Sequence, residues 1–140
     1  MDSVNKVKSL SIWIFIIPFV AVNACLILIT TFHDLFPNKE DVLIGFTFPY
    51  IDGGASISRT ARVFPTYLIF KPAMFLTAFF LYIYWKNNNQ LINILNSSNI
   101  NYKFKTFGIL SAVFLVIHSI LLGVKFDIQI YKLFRRVVLL

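Results

Sequence analysis

The sequence predicts an all-α integral membrane protein with three transmembrane helices and a structured first extracytoplasmic loop. Of the 140 residues, 58% are hydrophobic and only 14% are charged, which is too apolar for an ordinary soluble domain. Three apolar stretches are each long enough to cross a hydrocarbon core of about 30 Å, at about 1.5 Å per helical residue. Residues 1–140 are therefore expected to form a single membrane domain.

The predicted spans are residues 10–32, 67–85 and 107–124. The first holds no charged side chain, and a helix there can satisfy its own backbone where water cannot. The second holds one charge, Lys71, near its start, where the amine can extend to the interface. The third is interrupted only by His118, which can hydrogen-bond to a neighbouring helix.

A cleaved signal peptide is the alternative to a first transmembrane span, because Lys6 and Lys8 precede the apolar run and residues 22–25 loosely resemble a lipoprotein processing site. The apolar run continues after Cys25, which favours an uncleaved span. Cys25 is the only cysteine, so an intrachain disulfide is excluded. Its expected role is a thiol buried between helices.

The net charge of +7 is dispersed around the spans, which favours anionic lipid head groups over nucleic acid as partners. The amino-terminal stub and the linker, residues 86–106, carry lysines with little acid beside them, whereas the first loop, residues 33–66, mixes three basic with four acidic residues. The positive-inside rule therefore predicts a cytoplasmic amino terminus and linker. The basic tail, residues 125–140, argues against this orientation.

The linker contains two asparagine-rich runs that favour turns. We expect it to be a solvated loop with, at most, a short amphipathic helix near residues 91–95. The last four residues begin another apolar run, which predicts either a tail lying on the membrane or the start of a fourth span of a longer protein.

The most distinctive segment runs from Phe46 in the first loop into the second span, and it contains FPYIDGGASISRTAR, residues 48–62. Pro49 fixes its own φ, and Asp52 followed by two glycines predicts a tight turn. A short helix capped by a serine would then place Arg59 and Arg62, three residues apart, on one face. Two guanidinium groups on one face can hold a phosphate.

The run Phe48-Pro49-Tyr50-Ile51-Asp52-Gly53-Gly54 resembles the first extracytoplasmic loop of the Frag1/DRAM/Sfk1 family, which includes the Cwh43 amino-terminal part and PGAP2-like membrane proteins. Residues 123–127, Gly-Val-Lys-Phe-Asp, are similar to the exit of that family's third helix. The family's serine before the aspartate and its Pro-Glu pair are missing here. The resemblance implies six spans, of which this chain would be the first half, and roles in lipid organisation, GPI-lipid remodelling and autophagy.

The candidate site for a lipid head group or a protein partner consists of Asp52, Arg59, Arg62 and Lys71. Each residue has a structural alternative: Asp52 as a turn former, the arginines as interface anchors and Lys71 as a lysine that only extends to the interface. Pro72 beside Lys71 is expected to kink the second span and leave a polar notch.

A stripe of small and polar residues on the third span, which includes Ser111, His118 and Ser119, is typical of a helix-packing face. Only one other histidine is present, so we expect no metal site. No P-loop, zinc-hydrolase motif or nucleophile elbow occurs, and we expect no catalytic residue and no cofactor.

Three functions remain open. The first is a non-catalytic protein that contacts membrane lipids, other transmembrane helices or a missing second half through its first loop. The second is a lipid-modifying enzyme or its accessory subunit, and the third is a small structural subunit of a membrane complex. Asp52→Asn separates them, because only an enzyme should lose activity while it still folds. The sequence predicts a multi-pass membrane location without naming the organelle.

Overall fold

A computed structural model describes residues 2–32, 34, 36, 51, 57–95 and 104–122 of the chain. Within these ranges the chain forms four helices and no strand: α1 (Asp2–Thr31), α2 (Ile57–Thr60), α3 (Tyr67–Leu95) and α4 (Phe104–Leu121). Three of them, α1, α3 and α4, are long and apolar enough to cross a membrane. The predicted three-helix membrane fold is confirmed, and the chain is a polytopic membrane protein.

The helices differ from the predicted spans mainly at one end of α3. This helix continues ten residues past Trp85 to Leu95, so residues 86–95, which were expected to lie in a solvated linker, are helical. The three asparagines at 87–89 are half-buried, and packing of this kind overrides the weak turn preference of asparagine. At about 1.5 Å per residue, α3 is about 44 Å long and extends beyond a hydrocarbon core of about 30 Å.

Helix α3 begins at the predicted residue, whereas the other two long helices begin before the predicted spans. Helix α1 starts at Asp2, within the charged stub, and ends at Thr31. Helix α4 starts at Phe104 and ends at Leu121. Of the predicted first loop, residues 34, 36, 51 and 57–66 are described, and the remainder lies outside the described residues.

Helix α3 is central, because both α1 and α4 pack along it, while the short α2 packs on α1. The buried apolar side chains cluster where α1 and α4 end and α3 begins. They come from α1, α3, the loop and the residue directly after α4: Cys25, Leu26, Ile29, Phe36, Ala61, Phe70, Met74 and Leu122. We call this part of the molecule the loop end.

Small side chains allow α4 to approach α3 closely. Gly108, Ala112 and Ser119 are buried, and Leu122 follows them on the same face. A Cβ atom at position 108 would overlap the indole ring of Trp85. Glycine at this position therefore permits a contact that no larger residue allows, as small residues do in other transmembrane helix pairs.

The outer surfaces of the three long helices are apolar. Phe15 on α1, Phe79 on α3 and Phe107 on α4 are 68%, 57% and 67% exposed. Large aromatic side chains at this exposure on every long helix would form extended apolar patches in water. A hydrocarbon solvent removes that cost, and the outward faces are suited to lipid.

Candidate functional site

The last ten residues of the first loop fold back into the bundle. Helix α2 is followed by turns in which the Ala61 amide donates to Ile57 and the Tyr67 amide donates to Val63, at 2.9 and 3.0 Å. Thr60, Ala61 and Thr66 are at most 1% exposed. Residues 57–66 are therefore an integral layer of the loop end.

Thr66 links this segment to the helices. Its hydroxyl contacts the carbonyl oxygens of Thr60 and of Val63, the latter at 2.7 Å. Its own carbonyl oxygen accepts from the Phe70 amide at 3.0 Å, which starts α3. The Cys25 thiol of α1 lies 3.5 Å from the same oxygen. One buried threonine thus connects the loop, the start of α3 and α1.

Cationic and aromatic side chains that are exposed or half-buried follow one another along this segment and the start of α3. Arg62 is exposed although Ala61 beside it is buried. Phe64 is 49% exposed, and its ring lies 6.0 Å from that of Tyr67, centroid to centroid. The Lys71 ammonium lies 5.9 Å from the centre of the Tyr67 ring, within cation–π range. We call Arg62, Phe64, Tyr67 and Lys71 the loop-end surface.

The loop-end surface has the chemistry of a membrane interface. Tyrosine places an apolar ring toward the hydrocarbon and its hydroxyl toward water, and arginine and lysine attract anionic head groups. The arginine guanidinium can additionally bind a phosphate with two parallel hydrogen bonds. Each cation can therefore attract a lipid phosphate, and the Tyr67 ring beside Lys71 suits the hydrocarbon edge of a head-group region.

The structure places two of the four predicted site residues on this surface, Arg62 and Lys71. Arg59 lies in α2, and its side chain is outside the described residues, as are Asp52 and most of the predicted tight turn. The predicted pairing of the two arginines on one face stays a prediction. Lys71 is half-buried beside the Tyr67 ring, and Pro72 lies within α3.

The predicted packing residues of α4 occupy two different faces. Ser119 is 0% exposed and belongs to the face that packs against α3, and no described atom forms a hydrogen bond with its hydroxyl. Ser111 is exposed and donates to the Gly108 carbonyl of its own helix at 2.7 Å. His118 is half-buried. A packing role for Ser111 and His118 stays a prediction that requires a helix from outside this bundle.

The sequence analysis did not single out Thr66, Thr60 or the contact of Thr66 with Cys25. One local signal existed, because Thr66 directly precedes the second span and threonine is a favoured residue at helix starts. Its hydroxyl, however, contacts carbonyl oxygens of the preceding turns and not the first amides of α3. Cys25 is 41 positions away, and no local pattern predicts that contact.

Within the described ranges, no three histidine, cysteine, aspartate or glutamate side chains come together as a metal site would require. No family model, curated protein or solved structure gives a significant match to this chain. Membership of the Frag1/DRAM/Sfk1 family therefore stays a prediction from the residues that carry the resemblance.

Proposed function

We propose that this polytopic membrane protein acts in membrane lipid organisation or GPI-lipid remodelling by binding an anionic lipid head group at its loop-end surface. The biological role rests on the resemblance of residues 48–54 to the Frag1/DRAM/Sfk1 family. The lipid contact is supported by one structural observation: Arg62 and Phe64 are exposed on a segment that the buried residues Ala61 and Thr66 anchor in the bundle.

The buried segment matters because it fixes the cations before a lipid arrives. A mobile surface arginine loses side-chain freedom when it binds a phosphate, and that loss weakens binding. Here Ala61 and Thr66 anchor the backbone on either side of Arg62. Tyr67 likewise limits the positions of the Lys71 ammonium. The surface is therefore preorganised for an anion at the membrane face.

The direct test is photo-crosslinking from the loop-end surface. Benzoylphenylalanine replaces Phe64, and the protein is irradiated in nanodiscs that contain equal amounts of anionic and zwitterionic phospholipid. Mass spectrometry then gives the ratio of the two crosslinked lipids. We expect enrichment of the anionic lipid. Each cation near an anionic surface contributes about 1 kcal/mol, so Arg62→Gln with Lys71→Gln should reduce the ratio by up to about fivefold per charge.

Two controls give the test its meaning. Arg62→Lys with Lys71→Arg keeps both charges and should retain most of the enrichment. Benzoylphenylalanine in place of Phe79, about 20 Å along the helix from Thr66, contacts acyl chains and should not discriminate between head groups. Equal yields of the two lipids at position 64, in correctly inserted protein, would show that the cations only anchor the loop at the interface.

A further inference from the structure

Two contacts determine how the long helices are aligned along the axis of the bundle. The Cys25 thiol of α1 lies against Thr66, immediately before α3. Near the other end of α3, the Trp85 indole occupies the space beside Gly108 of α4. The end of α1 thus meets the start of α3, and the start of α4 meets the distal half of α3. Both α1 and α4 therefore run antiparallel to α3.

Four lysines lie at nearly the same level, at the end opposite the loop. At about 1.5 Å per residue, Lys8 and Lys6 lie about 26 and 29 Å from the level of Thr66 along α1. Along α3, Lys86 lies about 30 Å from that level. Lys105 precedes Gly108 by three residues, which places it about 33 Å away. All four side chains are exposed. We call this group the lysine end.

The lysine end carries almost no compensating negative charge. In residues 2–10, 85–95 and 104–107 the only acidic residue is Asp2. The surrounding polar residues are mostly asparagine, glutamine and serine, which carry no charge. The distance of about 30 Å between the loop end and the lysine end equals the hydrocarbon thickness of a typical bilayer. The lysines therefore lie at the level of lipid phosphates.

Aromatic side chains near the lysine end support an interface at this level independently of the charges. Trp85 precedes Lys86, and its ring meets that of Tyr84 edge to face at 5.5 Å. Tyr82, one turn deeper, is exposed. Tryptophan and tyrosine are enriched where hydrocarbon meets head groups. Tyr82 thus presents an exposed ring one turn below Lys86, while the Trp85 ring packs against α4.

We propose that the lysine end is a second lipid-binding surface, selective for anionic phospholipids of the leaflet opposite the loop. The proposal is independent of the function proposed for the loop-end surface, because the two surfaces lie about 30 Å apart along the bundle. Its ligand is defined by chemistry: a phospholipid whose head group keeps a net negative charge.

Tryptophan fluorescence gives a local test. Both tryptophans, Trp13 and Trp85, lie in the half of the bundle that contains the lysine end, and Trp13 is half-exposed on the outer face of α1. The full chain is reconstituted in vesicles that mix a zwitterionic phospholipid with brominated phosphatidylglycerol or, in parallel, brominated phosphatidylcholine. Bromine quenches on contact, so the quenching ratio measures the preference of the neighbouring lipid sites.

We expect the wild type to prefer the anionic lipid, and the preference to fall as salt screens the charges. The variant Lys6→Gln, Lys8→Gln, Lys86→Gln, Lys105→Gln should lose the preference to within twofold of equal binding. The matched Lys→Arg variant at the same four positions should retain it. Circular dichroism and gel filtration check folding, which exposed substitutions should preserve.

Two results overturn the proposal. Equal quenching by the two lipids in the wild type would show that the lysine end does not select anionic lipid. A preference that persists in the glutamine variant would assign the selectivity to other residues and not to the four lysines. The two proposals fail separately. If crosslinking at Phe64 shows no enrichment of anionic lipid but the quenching experiment shows the expected preference, only the loop-end proposal is refuted.

Discussion

The contact between Gly108 and Trp85 allows a stability prediction whose sign depends on the partner. Gly108→Ala introduces a Cβ into the space of the Trp85 indole ring. The nearest atoms belong to the ring itself and not to the flexible end of a side chain, and the indole nitrogen is buried. The ring therefore cannot move aside without displacing α4 from α3.

The expected magnitude is the difference between two effects. Alanine favours a helix over glycine by about 1 kcal/mol, which stabilises the variant. Overpacking of a close contact costs about 1–3 kcal/mol, and overlap with a rigid ring places this contact in the upper part of that range, at about 2–3 kcal/mol. We expect a net loss of about 1–2 kcal/mol in the free energy of helix packing. In a Trp85→Ala background the overlap disappears, so Gly108→Ala should then be neutral or stabilising by up to about 1 kcal/mol.

The only cysteine provides the assay. Cys25 is 2% exposed and clusters with Leu122 directly after α4, so separation of α4 from α3 removes one of the side chains that cover its thiol and should raise its labelling rate. The labelling rate of Cys25 by a thiol reagent, followed as SDS is added to mixed micelles, gives the midpoint of opening. Ser111→Ala is the matched control, because it changes an exposed position on the same helix.

The reasoning has a clear point of failure. If Gly108→Ala opens at the same SDS fraction as the wild type, the two helices do not approach as closely as the indole contact requires. If Gly108→Ala destabilises by the same amount with and without Trp85, the loss comes from the backbone of α4 and not from the indole ring.

Three further predictions follow from the same structure. Thr66→Val leaves buried carbonyl oxygens without the hydroxyl contact and should lower the free energy of opening in the Cys25 labelling assay by about 1–3 kcal/mol. Thr106→Val changes an exposed site and should have little effect, so equal effects of the two variants would contradict the role of Thr66. A cysteine in place of Phe75, which is exposed on the outer side of α3, should not react with impermeant reagents in a bilayer. Labelling at this position would show that α3 does not cross the membrane there. Reporter fusions in residues 33–66 and 86–106 should give opposite signals, with the latter cytoplasmic, and equal signals would exclude that orientation.

The spans could be predicted from sequence because an apolar run of sufficient length has one stable solution in a bilayer, whatever it packs against. The distal part of α3 could not. Residues 87–89 are asparagines, whose local preference is for turns, and their half-buried position depends on the neighbouring parts of the bundle. Helix propensity is a weak guide wherever tertiary contacts contribute more than the local preference.

The candidate site, too, could be predicted from the sequence only in part. Arg62 and Lys71 could be selected from sequence, because basic residues at the end of a span have few roles. The scaffold beneath them could not, since it depends on a contact between Thr66 and Cys25 across 41 positions. Arg62 differs from an arbitrary surface arginine because tertiary contacts bury Ala61 and Thr66 on either side of it.

The α4 stripe shows why periodicity alone could not identify the packing face. Ser111 and His118 are one heptad apart, as are Ala112 and Ser119, and the two pairs lie on adjacent faces about 100° apart. Either face has the small and polar character of a packing surface. The close approach of Trp85 to Gly108 decides between them, because Ala112 continues the face that starts at Gly108. A partner helix that docks on Ser111 and His118 would therefore contact α4 beside α3, without displacing it.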